Sequence, residues 1–280
     1  MSLPAGTHVS ELALTVRRLG TSLDFYRGTL GLEILEEGSG GARLGAPGHA
    51  FLRLVEDPAA EVPLGRARLY HFAILFPSRV ELALAARRLL ERRWSLGGAA
   101  DHLVSEALYL SDPEGNGIEL YRDRPREEWD VQGGRVRMDT LHLDLEALLS
   151  EAAASPEGAV SAPTRLGHIH LHVRDLAEAE RFYREVVGLD VMERFGGSAS
   201  FLAAGGYHHH LGINTWGTAG ALRALEGAQG LRWYRLSLPD GEALAELVAR
   251  LRAAEVPFAT QDGEVSFKDP SGHRLLVQAG

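Results

Sequence analysis

The chain has 280 residues, which allows two average domains or one large one. Its residues are 45% hydrophobic and 24% charged, an ordinary globular balance that excludes a disordered or low-complexity protein. There is no cysteine, so disulfides, thiolate metal sites and cysteine nucleophiles are excluded, and any metal must be held by His, Asp or Glu. The formal net charge of −9, without a basic cluster, argues against nucleic acid as a partner.

The sequence also argues against membrane insertion and secretion. No apolar run approaches the ~20 residues that a membrane span needs. The N-terminus has neither the basic nor the apolar region of a secretory signal. We therefore predict a cytoplasmic protein with no membrane partner. The sequence leaves the oligomeric state open, and a homo-oligomer is among the states it allows.

The first part of the chain contains two successive runs of strand and helix patterns. Residues 7–16 alternate between apolar and polar positions, which predicts a half-buried strand. Residues 19–30 have apolar residues at helical spacing, and short strand-like runs follow to Val55. The same order then returns as a strand at 69–76, a helix at 80–92, and strands at 105–110 and 117–121.

The second half of the chain repeats motifs of the first half. Phe25-Tyr26-Arg27 recurs as Phe182-Tyr183-Arg184, 157 positions later. Asp112-Pro113 recurs as Asp269-Pro270 at the same offset, in each case with a Gly two positions after the Pro. The chain is therefore predicted to be a duplication of one domain.

The predicted boundaries follow from these patterns. The N-terminal copy covers 1–122, a charged and then Pro-containing linker covers 123–164, and the C-terminal copy covers 165–280. Within the linker, 141–152 has the pattern of a short amphipathic helix. Each copy contains two βαβββ modules, numbered in chain order as module 1 (7–60), module 2 (66–122), module 3 (165–218) and module 4 (230–280).

This organisation resembles the vicinal oxygen chelate superfamily, which includes glyoxalase I, bleomycin- and fosfomycin-resistance proteins and extradiol dioxygenases. The motifs FYR…LGL in the first helix and DPEGNGIEL near the end of module 2 carry the resemblance, which covers nearly the whole chain. It implies an α+β fold in which the four modules pair into two cupped mixed sheets. It further implies that a divalent metal is held by residues from the first and last strands of paired modules.

The stretch HLVSEALYLSDPEGNGIE (102–119) resembles the extradiol dioxygenase signature. A DPxGxxxE motif alone marks only a turn and a strand, but here His102 and Tyr109 lie in register upstream of Glu119. The resemblance implies that His102 and Tyr109 orient the substrate and its leaving oxygen. The alternative interpretation is a Tyr packed on a strand, a His in a solvated loop and a surface Glu.

Candidate ligands lie only in modules 2 and 3. His71 and Glu119 fall on the first and last strands of module 2, and His168 falls on the first strand of module 3. Two His and one carboxylate form the facial triad of non-haem Fe(II) oxygenases. We therefore predict that modules 2 and 3 share one sheet, that modules 1 and 4 form a second without a metal, and that the nearby His170 and His172 are not ligands. The counterparts of His71, Glu119 and His168 in the other modules are Trp233, Leu276 and Glu11.

The resemblance also implies an acid/base His in module 3. The family pattern is His, any residue, a branched apolar residue, a small one and an apolar one, and it selects His209. Strand alternation argues differently, because it places His208 and His210 on one face with Gly212 and Asn214. We predict His209 as the acid/base residue, with His208 and His210 as substrate-binding or supporting neighbours.

Four segments are similar to the two-domain bacterial catechol 2,3-dioxygenases: GHIHLHV, GYHHHLGINTW, YHFAIL and DRPREEW. The resemblance implies cleavage of catechol, or a simple substituted catechol, with O₂ to a muconic semialdehyde. The cofactor is then Fe(II), with Mn(II) as an alternative, and the partners are a small aromatic diol and O₂. Two other functions remain open. A glyoxalase-type lyase or isomerase would add a fourth ligand such as His210, and a metal-free binding or resistance protein would need no ligands.

Overall fold

A computed structural model describes residues 2–152 and 159–280. Strands and helices alternate in the same order in both halves of the chain. The first half contains β1 (His8–Val16), α1 (Leu19–Gly28), β2 (Glu33–Gly38), β3 (Gly41–Ala46), β4 (His49–Glu56), β5 (Arg68–Leu75), α2 (Arg79–Glu91), β6 (Gly98–Asp101), β7 (Ser105–Ser111) and β8 (Gly117–Asp123). A 3-10 turn (Arg126–Glu128), β9 (Val131–Gln132), β10 (Arg135–Val136), β11 (Leu141–His142) and α3 (Leu145–Ser150) follow.

The second half begins with β12 (Arg165–His172) and α4 (Leu176–Arg181), which continues into a π-helical segment (Phe182–Val187). Its remaining elements are β13 (Asp190–Phe195), β14 (Ala199–Ala203), β15 (Leu211–Asn214), β16 (Gly230–Leu238), α5 (Gly241–Ala253), β17 (Phe258–Gln261), β18 (Glu264–Lys268) and β19 (Arg274–Ala279). No helix among the described residues has the length and apolar character to cross a membrane.

The predicted linker differs from the observed one in its helix. A helix is predicted at 141–152, but the observed helix α3 covers only Leu145–Ser150. It begins later because the Asp144 side chain caps it, accepting from the Ala147 N–H at 2.9 Å. Leu141 and His142 instead pair with β6. Residues 153–158 of the predicted linker lie outside the described residues. The division into two domains and a linker stays a prediction.

Two large mixed sheets are formed by the described residues. One has the strand order β17-β18-β19-β16-β1-β4-β3-β2, and the other has the order β11-β6-β7-β8-β5-β12-β15-β14-β13. In each sheet the antiparallel pair at the centre joins the two halves of the chain, β1 with β16 and β5 with β12. Parallel pairs such as β5 with β8 flank these centres. The predicted α+β class is confirmed, and modules 2 and 3 share one sheet as expected.

The repeated motifs meet within each half of the chain. The Tyr26 hydroxyl donates to Asp112 Oδ2 at 2.7 Å, and the Tyr183 hydroxyl donates to Asp269 Oδ2 at the same distance. All four side chains are buried. Each pair ties the first helix of one module to the turn before the last strand of the next, which explains why FYR and DPxG recur together.

Strand β12 shows how the fold presents the histidines. The strand is buried from its second residue to its last. Because side chains alternate across a strand, His168 and His170 share one face, whereas Ile169 and Leu171 point the other way into the main apolar core. Because both faces of β12 are buried, the polar imidazoles on one of them are also enclosed by the protein, on the concave side of the sheet.

Candidate active site

Three side chains on neighbouring strands converge at the centre of the nine-stranded sheet. His71 lies on β5, Glu119 on β8 and His168 on β12. Glu119 Oε2 is 3.0 Å from both His71 Nε2 and His168 Nε2. One potential ligand atom from each residue lies within 4.8 Å of the others, and all three residues are buried.

The sheet register explains this convergence. Ala73 on β5 pairs with His168 on one side and with Glu119 on the other. His71 lies two residues before Ala73 and therefore on the same face. Because the Ala73 side chain is a single methyl group, the imidazole and the carboxylate can approach each other above it.

The protonation states of Glu119 and His168 suit a metal. Burial raises the pKa of Glu119, but electrostatic interactions and hydrogen bonds with His168 and His71 outweigh this effect and lower that pKa well below its usual value. Burial lowers the pKa of His168, which favours the neutral imidazole. His71 Nε2 is buried without a hydrogen bond of good geometry, although it lies 3.0 Å from the carboxylate. A carboxylate and two neutral imidazoles are the forms that bind a cation.

The spacing of the donor atoms also fits. Ligands at right angles around an ion, each about 2.1 Å from it, are about 3 Å apart. The two 3.0 Å separations from Glu119 Oε2 match this value. His71, Glu119 and His168 are therefore able to hold a divalent transition metal on one face.

A cavity of about 610 Å³ opens over this group. Its volume lies within the range of small-molecule sites. Its wall includes His71 and Glu119, the predicted catalytic residues His102, Tyr109 and His209, and the aromatic side chains Tyr70, Phe201 and Trp216.

The structure brings His102 and Tyr109 together beside the ligands. His102 Nδ1 donates to the Asp139 carbonyl at 2.8 Å, so its Nε2 is free to accept from the Tyr109 hydroxyl at 2.6 Å. Tyr109 pairs across the strands with Glu119. Burial, with the Glu119 charge, raises the pKa of Tyr109 well above its usual value. Tyr109 is therefore a neutral hydroxyl at the cavity wall.

The three consecutive histidines do not lie on a strand. Strand β15 begins at Leu211, so the expected alternation of His208 and His210 with Gly212 does not apply, and no bulge is needed. His209 lies in the cavity wall, and its ring centroid is 4.0 Å from that of His168. This position agrees with the family pattern that selected His209.

His208 and His210 lie outside the cavity wall. His208 Nδ1 is 2.8 Å from His209 Nδ1. His210 Nδ1 accepts from the Ala204 N–H at 3.2 Å. These positions do not support substrate contact by either residue. They favour the other alternative, in which both are supporting neighbours.

The remaining two histidines of β12 are engaged by one amide. Asn214 Nδ2 donates to His170 Nε2 at 2.9 Å, and Asn214 Oδ1 accepts from His172 Nδ1 at 2.7 Å. Burial lowers the pKa of both imidazoles, that of His172 to about 4. Neither belongs to the converging donor group, as expected.

Asp123 is a candidate functional residue that the sequence reasoning missed. It ends β8, and its carboxylate meets His208 Nε2 and the Tyr207 hydroxyl, each at 2.9 Å. The only signal in the sequence was its place at the start of DRPREEW, one of the four segments that carried the resemblance. A single Asp after a strand has no spacing that points to a histidine 85 positions later.

The equivalent positions of the eight-stranded sheet are occupied differently. Glu11, the counterpart of His168, pairs in register with Arg235, just as His168 pairs with Ala73. The Glu11 carboxylate forms ion pairs with Arg235 and, at 3.3 Å, with Arg43. Trp233 and Leu276 provide no ligand atom. Among the described residues, only the nine-stranded sheet carries a group of three donor residues close enough together to hold a metal ion.

Comparisons with known proteins agree with this architecture. The family model of the Glyoxalase/Bleomycin resistance protein/Dioxygenase superfamily matches residues 8–120 and 165–277. The chain belongs to this superfamily. Catechol-2,3-dioxygenase of Bacillus subtilis (strain 168) is 44% identical over 277 residues, covering 96% of each chain. The resemblance found in the sequence is confirmed, and the chain is an enzyme of the dioxygenase group.

Solved structures of the superfamily share the fold. A putative dioxygenase from Bacillus subtilis has a TM-score of 0.66 at 15% identity, covering all of this chain and 86% of the other. The cppA protein of Streptococcus pneumoniae has a TM-score of 0.64 at 14% identity, covering 98% and 99%. Glyoxalase I of Zea mays has a TM-score of 0.57 at 14% identity, covering 97% and 92%. At these identities the likeness concerns the fold alone.

Proposed function

We propose that the enzyme is an Fe(II)-dependent extradiol dioxygenase that cleaves catechol, or a simple substituted catechol, with O₂ to a muconic semialdehyde. The observation that carries the proposal is the convergence of His71, Glu119 and His168 beside a cavity whose wall includes His71 and Glu119 together with His102, Tyr109 and His209. The name of the 44% identical relative supports the substrate class.

In this proposal the two imidazoles and the Glu119 carboxylate hold the metal, and Mn(II) suits the same donors. Bound there, the ion supplies a Lewis-acidic, redox-active centre with open positions for a diol and O₂ together. Three protein ligands on one side of the ion are sufficient, because the diol and O₂ need the remaining positions. A monophenol is not expected to react, since a single oxygen atom cannot chelate.

Two groups of the chain move the protons. Tyr109 lies on the His71 side of the ligand group, with ring centroids 5.7 Å apart, and His209 lies on the His168 side. On substrate binding, the neutral Tyr109 hydroxyl turns its single proton from His102 Nε2 to a substrate oxygen. His209 accepts a proton from the diol and returns it later in the cycle, as a general acid/base residue.

The aromatic part of the wall gives the substrate ring its place. Phe201 lies 5.0 Å from the His209 ring and 5.6 Å from the His170 ring, measured between centroids. Tyr70 and Trp216 continue this surface, with centroids 5.5 Å apart. A catechol ring is small relative to about 610 Å³, so the cavity leaves room for ring substituents.

The two other candidate functions have less support. A lyase would need a fourth ligand such as His210, but His210 Nδ1 accepts from the Ala204 N–H and His210 lies outside the donor group. A metal-free binding protein would leave His71 Nε2 buried without a good hydrogen bond. A small aromatic diol and O₂ are therefore the proposed partners. Cytoplasmic location and a homo-oligomeric state stay predictions.

The decisive experiment measures O₂ uptake and the product spectrum with catechol, substituted catechols and phenol. Iron-replete enzyme should consume one O₂ per catechol and form a yellow ring-opened product, while phenol should not react. Glu11→Gln, in the eight-stranded sheet, should keep this activity, whereas Glu119→Gln should lose it. No uptake by iron-replete protein across the catechol panel would overturn the proposal.

A further inference from the structure

We infer that Asp123 and His208 are positioning residues that fix which nitrogen of His209 carries its proton. The inference rests on the proposed function, in which His209 is the acid/base residue. It follows from one connected set of hydrogen bonds behind the cavity wall, made by residues 121–123 of β8 and residues 207–209 before β15.

The set begins at the carboxylate. Asp123 Oδ1 lies 2.9 Å from His208 Nε2, and Asp123 Oδ2 lies 2.9 Å from the Tyr207 hydroxyl. An ionised carboxylate only accepts hydrogen bonds. His208 must therefore carry its proton on Nε2, and Tyr207 must donate.

The tautomer of His209 follows from that of His208. A neutral His208 protonated at Nε2 has a bare Nδ1, which only accepts. His209 Nδ1 lies 2.8 Å away and so must be the donor. This leaves the Nε2 of His209 without a proton, as a general base requires.

The other branch of the set orients the carboxylate. Since the Tyr207 hydroxyl donates to Asp123, its oxygen accepts from the Tyr121 hydroxyl at 2.8 Å. Tyr121 reaches this place only because residue 167 is Gly, where a Cβ would lie 1.6 Å from the Tyr121 hydroxyl. All protons of the set thus point toward Asp123.

The segment after Asp123 holds the histidine loop in place. Arg126 Nη2 donates to the carbonyls of Gly205 and Gly206 at 2.8 and 2.6 Å. The Trp129 ring lies 5.3 Å from that of His208 and 5.8 Å from that of Tyr207. The N-terminal half of the chain therefore positions the acid/base residue of the C-terminal half.

The test compares Asp123→Asn with the unchanged enzyme. The Asn oxygen keeps the hydrogen bond from Tyr207, so its NH₂ faces His208 Nε2, which then must accept. The proton moves to His208 Nδ1, and His209 must accept at Nδ1 and carry its proton at Nε2. The variant should lose about 10–100-fold in kcat. KM for catechol and iron content should not change, because Asp123 lies outside the cavity wall and the donor group.

Two further measurements separate positioning from folding. Nitrogen NMR of histidine-labelled, Zn(II)-loaded protein, assigned with His209→Gln, should show His209 protonated at Nδ1 in the parent and at Nε2 in Asp123→Asn. Asp123→Glu, which keeps a carboxylate, should recover part of kcat. Glu127→Gln removes an exposed charge from the same segment and should leave kcat unchanged.

The outcomes are distinct from those that test the function. Unchanged kcat and an unchanged His209 tautomer in Asp123→Asn, in an active parent enzyme, overturn the inference. A changed tautomer in a protein that never cleaves catechols supports positioning and rejects the proposed function. If Asp123→Asn fails to fold or to retain iron, His208→Phe provides the test. It removes the nitrogen that accepts from His209 Nδ1, and an unchanged kcat with an unchanged His209 tautomer in that variant overturns the inference.

Discussion

Ala73 and Arg235 occupy equivalent positions at the centres of the two sheets. Beside Ala73, His168 and Glu119 approach each other across an open space, whereas beside Arg235 the Glu11 carboxylate is held in ion pairs. The guanidinium of Arg235 also lies 5.0 Å over the Trp233 ring. A charged side chain in place of a methyl group thus pairs with Glu11, and also with Glu264 at 2.7 Å. Together with the replacement of His71, Glu119 and His168 by Trp233, Leu276 and Glu11, this difference separates an ion-paired site from a candidate metal site.

The first prediction concerns metal retention. His168→Ala removes one of three ligands, so iron measured after anaerobic purification and dialysis should fall to background. Glu11→Gln, at the counterpart position, should keep the iron because its partners are arginines. Iron retained by His168→Ala and lost by Glu11→Gln would place the site in the other sheet.

A second prediction concerns Tyr109→Phe, which removes the hydroxyl that lies 2.6 Å from His102 Nε2. The variant should retain iron, because the phenol is not in the donor group, but turnover of catechol should fall by about 10²–10⁴-fold. Tyr234→Phe, which removes a buried hydroxyl from the eight-stranded sheet, is the matched control and should keep full turnover. Equal rates for both variants would assign Tyr109 a packing role only.

Among the elements, the two Tyr–Asp contacts allow an internal comparison. Asp112 accepts from Tyr26 and from Asn116 Nδ2, and Asp269 accepts from Tyr183 and lies 3.0 Å from His273 Nδ1. Each contact joins a helix to a turn from the neighbouring module. The duplication therefore preserved the structural motif in both copies, while the proposed metal ligands occur in one sheet.

Replacing Tyr26 or Tyr183 by Phe should lower the free energy of unfolding by about 1–3 kcal/mol each, because a buried carboxylate loses one donor. Urea denaturation measures the effect. The two losses should add in the double variant, since the pairs belong to different copies and share no residue. Unchanged midpoints in both single variants would show that water replaces the lost hydroxyls.

The sequence predicts the structure correctly where a segment has helical or strand periodicity or belongs to the duplicated motifs. Strands β1 and β5 and helices α1 and α2 were predictable from apolar spacing, and the pairing of modules 2 and 3 from the distribution of His71, Glu119 and His168. The loop at 207–210 was not predictable from the sequence. It has neither helical nor strand periodicity, and it is held by contacts with residues 123–129. Asp123 escaped notice for the same reason, since sheet pairing and not spacing brings it to His208.

For the molecule as a whole, the seven tyrosines share one property. Burial raises the pKa of every one of them. The folded state thus favours the protonated phenols, so stability is retained below about pH 10 and lost as the pH rises further. Tyrosinate absorbance and far-ultraviolet circular dichroism should change together in one steep alkaline step. Gradual ionisation near the ordinary value, with secondary structure intact, would contradict this expectation.

The central pairing of β1 with β16 and of β5 with β12 has a consequence for biosynthesis. On the ribosome, the N-terminal half emerges with one edge of β1 and one edge of β5 unpaired, and both strands are largely apolar. Unpaired strand edges associate with other chains, so the nascent half needs shielding until translation delivers β12 and β16. The proposed metal ligands His71 and Glu119 are synthesised first, and His168 can join them only after residue 168 has left the exit tunnel. An N-terminal half produced alone should therefore not retain iron, whereas two halves expressed as separate polypeptides should complement each other through these same edges.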